Sequence, residues 1–146
     1  MKTVIKKQII TKVEPIKNNV AKKRYINTKF WSDGFIIGLS PLERYLFLYL
    51  LTNEHTDICG IYELSWGVII RETGLDNKTL QKILKKLEGR IFYINDWIYI
   101  KNFNKHQAVN ESIKLGVDRS LKNIPPEILT KIKGINKGKG QAVPLW

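Results

Sequence analysis

Side chains that donate hydrogen bonds are interspersed with leucine and isoleucine over residues 77–88. The apolar positions there have the spacing of a single helical face, so a helix would turn its polar side chains the other way. Lysine can donate to guanine or to phosphate, and asparagine or glutamine can pair with adenine. The pattern predicts a nucleic-acid-binding face, although an ordinary solvated helix face is the alternative. Its residues are Asn77, Lys78, Thr79, Gln81, Lys82, Lys85 and Lys86.

Five further cations are predicted to anchor phosphate groups. Arg90 and Lys101 flank a predicted hairpin, and Lys22, Lys23 and Arg24 follow a lysine-rich N-terminus. The segment 101–107 mixes basic, polar and aromatic groups. It could touch a nucleic-acid backbone, or it could be a loop that returns the chain to the domain.

The charge distribution supports a polyanionic partner. The 146 residues carry a net charge of +12. Residues 1–24 hold eight Lys/Arg against one Glu, residues 25–109 ten against nine acids, and residues 110–146 seven against three. Basic flanks around a neutral core favour phosphate binding, since bound Lys and Arg release condensed counterions. A solvated basic surface that only aids solubility is the alternative.

Motifs for other functions are missing from the sequence. There is no GxxxxGK[ST] phosphate loop and no GxSxG nucleophile motif, so we expect no enzyme and no cofactor. Cys59 is the one cysteine, and His55 and His106 lie far apart in sequence, so no metal site is expected. No apolar run reaches the ~18 residues of a membrane span, and no signal peptide is recognisable. We therefore expect a cytoplasmic protein with no membrane contact.

The elements that would position the basic face have clear boundaries. The lead over residues 25–37 is predicted to be extended, with Phe30 and Trp31 among its aromatic anchors. Ser40 and Glu43 have the spacing of a capping box with proline between them, which predicts the start of a first, centrally buried helix. A short strand is predicted over residues 61–64.

A helix-turn-helix is predicted next. Ser65 can cap a helix that runs to Thr73, with Trp66 among its inward side chains. Gly74 fits the left-handed turn that follows. Asp76 can cap the helix over residues 77–88. This spacing is typical of two short helices joined by a glycine-containing turn.

Residues 91–100 predict a hairpin. Two β-rich runs flank Asn95 and Asp96, which both tolerate positive φ. The hairpin aromatics are predicted to pack rather than to stack on bases, and the acidic tip predicts weak contact with DNA. A helix over residues 110–121 and a short helical turn after Pro125 complete the prediction.

This element order predicts an α+β fold, a winged helix-turn-helix with a helical core and a small antiparallel β-hairpin as the wing. The predicted domains are a basic N-terminal arm at 1–23, a DNA-binding domain at 24–132 and a flexible Gly/Lys-rich tail at 133–146. The arm is expected to be mobile, although a strand or an ordered arm is the alternative. The tail could link to a further domain.

The segment from Arg24 to about Ile132 resembles the N-terminal winged-helix domain of phage replisome organisers, relatives of DnaD-type primosomal proteins. The resemblance rests on RYINTKFWSDGFIIGLSPLERYLFLYLLTN, ICGIYEL, ETGLDNKTLQKILKKLE, IFYINDWIYIKNFNKHQ and ESIKLGVDRSLKNIPPEIL. It implies a domain that binds double-stranded origin DNA of a phage or mobile genetic element. Members of this family usually contact the helicase or its loader through a second domain, so we expect either that this chain is part of a longer protein or that the loading role is missing.

Two other functions stay open. A transcription regulator could use the same fold, and a replisome adaptor could bind a protein partner with it. An origin binder is expected to act as a homodimer on repeats or a palindrome. The contact surfaces predicted for the dimer are the aromatic lead (Tyr25, Phe30, Trp31) and the helix at 110–121, although these groups could simply pack on their own domain.

Overall fold

The computed structural model describes residues 22–107, without the side chain of Lys105, and residues 110–138. They form an α+β fold with six α-helices, two 3₁₀ helices and a three-stranded antiparallel sheet. The 3₁₀ helices span Thr28–Ser32 and Phe103–His106. The α-helices are α1 (Gly34–Ile37), α2 (Pro41–Thr52), α3 (Trp66–Thr73), α4 (Asn77–Leu87), α5 (Glu111–Lys122) and α6 (Pro126–Lys137). The strands are β1 (Ile61–Glu63), β2 (Ile91–Ile94) and β3 (Trp97–Ile100). No helix in this part of the chain is long and apolar enough to cross a membrane.

The capping box that was predicted at the start of α2 is present. Ser40 Oγ accepts a hydrogen bond from the Glu43 amide at 3.3 Å, and Glu43 Oε2 accepts one from the Ser40 amide at 2.7 Å. Leu46, Phe47 and Leu50 are fully buried. Tyr45 is 43% exposed, so the expectation of burial on every side is wrong. Its hydroxyl reaches the Thr73 carbonyl at the end of α3 instead.

The connection between α3 and α4 is as predicted. Gly74 ends α3 in the left-handed conformation, at φ 74°. Asp76 caps α4, and its carboxylate accepts from the Thr79 amide at 2.8 Å. Both helices begin at the expected residues, and α4 ends at Leu87, one residue early. The turn therefore fixes the direction in which α4 leaves α3.

The sheet has the order β1-β3-β2 and is buried on both faces. Side chains alternate along a strand, so each strand contributes to both faces. The inner face packs in one core with α2, α3 and α4, and it presents Tyr62, Leu64, Ile91, Tyr93, Ile98 and Ile100. The outer face packs in a second core with α5 and α6, and it presents Ile61, Phe92, Ile94, Trp97 and Tyr99. The hairpin aromatics lie in these two cores, as predicted.

The lead over residues 25–37 is helical, and the prediction of an extended segment is wrong. Asn27 Oδ1 accepts from the Lys29 amide at 2.9 Å and starts the 3₁₀ helix. Asp33 Oδ1 accepts from the Phe35 and Ile36 amides at 2.9 and 3.3 Å and starts α1. Short polar side chains that cap backbone amides favour such turns. The two caps, and not the aromatic residues, are the sequence signals of these turns.

The C-terminal segment is more helical than predicted. α6 has 12 residues and runs to Lys137, so residues 133–137 are not part of a flexible tail. Ile128, Ile132 and Ile135 recur at helical spacing and pack on the outer face of the sheet. Burial of this strip outweighs the low helix propensity of Gly134. The N-terminal arm up to residue 21 and the tail from residue 139 lie outside the described residues.

Segment 101–107 returns the chain to the domain. Phe103 is 1% exposed within the inner core. The Gln107 side chain makes two hydrogen bonds with the backbone of Tyr25. Its Oε1 accepts from the Tyr25 amide at 3.0 Å, and its Nε2 donates to the Tyr25 carbonyl at 3.1 Å. These contacts tie the end of the segment to the lead.

A buried ion pair joins the lead to the start of the hairpin. Arg90 Nη1 lies 2.8 Å from Asp33 Oδ1, and the two side chains are 5% and 15% exposed. The Arg90 guanidinium also lies 4.5 Å from the centre of the Phe35 ring. Burial raises the pKa of Asp33, but hydrogen bonds from Arg90 and the Ile36 amide, with the Arg90 charge, hold it below its usual value. Asp33 is therefore both the cap of α1 and the counterion of Arg90.

Replacing Arg90 with Met should destabilise the protein by about 3 kcal/mol, because the nearly buried carboxylate of Asp33 would lose its counterion. The double variant Arg90→Met/Asp33→Asn should recover much of that loss. Urea unfolding followed by circular dichroism measures both effects, with the exposed Lys86→Met as the control, expected within about 0.5 kcal/mol of wild type. A loss in Arg90→Met no larger than in Lys86→Met would show that the pair does not hold the lead.

Candidate nucleic-acid interface

Helix α4 separates an apolar face from a basic one. Leu80, Ile83, Leu84 and Leu87 are at most 8% exposed and pack against the inner core. The predicted nucleic-acid-binding residues turn away from that core. All are exposed except the half-buried Thr79: Asn77, Lys78, Gln81, Lys82, Lys85 and Lys86. The structure thus brings seven of the twelve predicted site residues together on one surface, which we call the α4 face.

The first turn of α4 carries a fixed negative charge. Asp76 accepts from the amide and from the hydroxyl of Thr79, both at 2.8 Å. These hydrogen bonds lower the pKa of Asp76, so it is a carboxylate at neutral pH. The Asp76 carboxylate would repel a phosphate at the N-terminus of α4. It could instead accept a hydrogen bond from the amino group of cytosine. The Thr79 hydroxyl is engaged locally, so it is less available to a partner than the exposed Lys78 and Gln81.

Trp66 connects α4 to the hairpin, and the sequence analysis did not find this role. Its indole Nε1 donates to Asn77 Oδ1 at 2.7 Å. Its ring packs edge-on against Tyr93 of β2, with centroids 5.3 Å apart. The Tyr93 hydroxyl in turn donates to Asp96 at the hairpin tip. A half-buried indole needs an acceptor for its N–H, which is the one signal that could have predicted the bond.

The link has a chemical consequence for Asn77. Oδ1 already accepts from Trp66, so the Nδ2 donors of the exposed Asn77 are the group left to contact a partner. Asn77 is therefore better suited to donate to an acceptor on a partner than to form the two-way pair with adenine.

The hairpin tip adds negative charge to this surface. Asn95 and Asp96 form the turn with φ of 45° and 65°, as their residue types predicted. Both are exposed, and the Asp96 carboxylate accepts from Tyr93. Burial and this carboxylate raise the pKa of the Tyr93 hydroxyl, so it remains a donor. The tip is polar and acidic, and the cations of this surface belong to α4.

Arg90 is too deeply buried to anchor a phosphate, so that prediction is wrong, and Arg24 is held by contacts within the fold. Arg90 is 4% exposed and pairs with Asp33. Arg24 is half-buried, and its guanidinium donates to the hydroxyl and the carbonyl of buried Thr56 at 3.0 and 2.8 Å. Arginine is favoured for such forked contacts because its donors are rigidly spaced. Both residues hold the lead in place.

The other predicted anchors lie away from the α4 face. Lys22 and Lys23 are exposed, and Lys23 lines a groove beside α5 with Ile113 and Gly116. Lys101 is half-buried at the base of the hairpin, and its amide donates to the Arg90 carbonyl at 2.9 Å. The structure does not bring these lysines together with α4.

Within the described residues, one group has the composition of a metal site. Ligand atoms of Glu54, His55 and Glu72 lie within 4.8 Å of one another. Glu72 accepts from the Tyr49 hydroxyl and lies 3.0 Å from His55 Nε2. Those two contacts lower the pKa of Glu72. They tie α3 to α2, and the group needs no ion to explain its geometry.

No family model, curated protein or solved structure matches this chain. The resemblance to replisome organisers therefore stays a prediction from the sequence. The case for a function rests on the α4 face and its surroundings.

Replacing Trp66 with Phe should lower the free energy of unfolding by about 1 kcal/mol, the usual net value of one hydrogen bond. The ring contact with Tyr93 would remain. Amide hydrogen exchange should accelerate in the first turn of α4, where Asn77 loses its tether. A double-mutant cycle with Asn77→Ala measures the coupling. A coupling energy near zero would mean that the indole does not fix Asn77.

Proposed function

We propose that this protein is a winged helix-turn-helix that binds double-stranded DNA through the α4 face. The observation that carries the proposal is the division of α4 into a buried apolar face and an exposed face with four lysines. Their ammonium groups match the phosphates and guanine edges of a major groove. No bond is made or broken in this function.

The order of elements supports the proposal. A helix, a strand, two helices and a hairpin follow one another as α2, β1, α3, α4 and β2–β3. In helix-turn-helix proteins the second helix of the pair enters the major groove, and its N-terminal residues meet base edges. Here that helix is α4, and its exposed first-turn residues are Asn77 and Lys78.

Residues along α4 would then divide their roles. Asn77, Lys78 and Gln81 lie toward the N-terminal half and would face base edges. Lys82, Lys85 and Lys86 lie further along the helix and would meet phosphates. Phosphate contacts position a protein on DNA, and base contacts give it sequence preference. The acidic hairpin tip, the proposed wing, would add little binding energy.

The biological role we propose is replication initiation at the origin of a phage or mobile element, in the bacterial cytoplasm. It follows from the resemblance in sequence, since the α4 face alone would serve a transcription regulator equally well. A helicase or helicase loader would be the downstream partner. Mapping bound sites across the element's genome separates the roles, because an initiator should occupy repeats at the origin and a regulator should occupy promoters.

Replacing both Lys78 and Lys82 with Gln should weaken duplex binding by at least about tenfold at 0.1 M salt, because each lost phosphate or base contact removes a charge-assisted interaction. The fold should survive, since both side chains are exposed. Fluorescence anisotropy with a labelled duplex measures affinity, and circular dichroism checks folding. Lys114→Gln/Lys122→Gln on α5 is the control with the same charge change, and the duplex is too short to hold two copies, so contacts of α5 with a second copy do not contribute. Equal affinities of the two double variants would remove α4 from the interface.

We also propose that two copies bind one DNA site. A single helix-turn-helix reads few base pairs, and two-fold operators match protein dimers. Phe30 is fully buried in the core of its own domain, so it is not part of a surface that could contact a second copy. Tyr25 and Trp31 are 64% and 60% exposed, and Leu115 of α5 is 56% exposed. These three side chains are the apolar groups left to contact a second copy.

Multi-angle light scattering should find two protomers on a duplex that carries two half-sites about one or two helical turns apart. Trp31→Ser should reduce that complex to one protomer. Leu42→Ser, at a residue 51% exposed, is the control and should leave two. One protomer per duplex for the unaltered protein at saturation would contradict the dimer.

A further inference from the structure

Helix α6 crosses the outer face of the sheet and ends beside α4. Just before its start, Ile124 lines a groove with Ile61 and Glu63 of β1. Near its end, Ile135 lines a different groove, together with Phe92 of β2 and Lys85 of α4. β1 and β2 are opposite edges of the sheet. The helix therefore begins near the far edge and brings its last turns to the α4 side.

The end of α6 next to α4 is basic. Lys131, Lys133 and Lys137 are exposed, and Glu127, the one acid of this helix, lies in its first turn. The orientation of the helix is fixed by the buried Ile128 and Ile132 and by the Tyr99 hydroxyl, which donates to Asn136 at 3.1 Å. Lys131 lies one turn before Ile135, on the same side of the helix. Ile135 lines a groove with Gln81 and Lys85, so Lys131 lies on the side of α6 that faces α4.

We infer that the last two turns of α6 are a second phosphate-binding surface, which supplies the flanking contact that the hairpin does not. The ligand is the sugar–phosphate backbone beside the groove that α4 enters, so the inference rests on the proposed function. The hairpin tip is acidic at Asp96, and Lys101 at its base is half-buried. Lys131, Lys133 and Lys137 are exposed on the last two turns of α6, Lys131 on the side of Ile135 and the other two on the side away from the sheet. Glu88 is the one acid among the residues that line the intervening groove.

Contacts with phosphate make specific predictions about salt and sequence. Each lysine in contact releases about one counterion, so its loss should flatten the plot of log affinity against log salt by about 0.9. The loss should be the same on every duplex sequence, since phosphate carries no base information. Both features distinguish this surface from α4, where sequence preference should also change.

The test compares two triple variants of the full chain. Lys131→Gln/Lys133→Gln/Lys137→Gln alters α6, and Lys114→Gln/Arg119→Gln/Lys122→Gln alters α5. Both remove three positive charges from a net charge of +12, so a general charge effect would be equal in the two. All six side chains are exposed, and glutamine keeps a high helix propensity. Lys131→Gln alone provides a milder variant.

Anisotropy titrations of a mixed-sequence duplex too short to hold two copies, across a sodium chloride series, give the slopes, so contacts of α5 with a second copy do not contribute. The α6 triple should flatten the slope by about 2.7, at about 0.9 for each of its three lysines, and weaken binding at least tenfold at 0.1 M salt. Lys131→Gln should flatten the slope by about 0.9, while the α5 triple matches wild type. Equal slopes for the two triples would overturn the inference. If Lys78→Gln/Lys82→Gln still weakens binding in that case, the proposed function stands without it. Absence of any duplex binding by wild type would overturn both.

Discussion

Side chains alternate along β2 and β3, and in this protein both sets are apolar, so both faces of a three-stranded sheet have to be covered. The inner face takes α2, α3 and α4, and the outer face takes α5 and α6. A shift of one residue in the hairpin register would exchange the two faces and misplace every helix. The turn at Asn95 and Asp96 and the pairing of Ile94 with Trp97 hold that register.

Two-sided burial also determines where charge can lie. The apolar side of α4 is buried in the inner core, so the lysines on its other side face solvent. Charges that do enter the fold are neutralised within it, as Arg90 is by Asp33. Removing one member of such a pair is costly because a nearly buried charge loses its partner. Arg90 was therefore misjudged as a ligand for phosphate, because its position beside the hairpin suggested exposure and its burial could not be foreseen.

Local signals predicted much of this fold. The capping box at Ser40, the left-handed Gly74 and the cap at Asp76 each specify a helix boundary through contacts within a few residues. The errors arose where the outcome depends on distant packing. Arg90 is buried in a pair with Asp33, 57 residues away along the chain, and α6 needs the outer face of the sheet to bury Ile135. The lead is the exception, since its caps at Asn27 and Asp33 are local signals.

The same distinction applies to the candidate site. The amphipathic period of α4 predicts which side chains are exposed, and the structure places them so. The indole N–H of Trp66 signals that an acceptor is needed, but its identity as Asn77 depends on the angle between two helices, which the sequence does not give. The end of α6 beside α4 depends on the path of the chain across the whole sheet, so no local pattern could indicate it.

The central claim is that the exposed face of α4 meets DNA, and a chemical-shift titration tests it residue by residue. Amide resonances of uniformly ¹⁵N-labelled protein would be followed while a short duplex is added. The account predicts the largest shifts over residues 76–86 of α4, with smaller ones over 131–137. Shifts confined to α5 and the lead, with α4 unchanged at saturation, would contradict it.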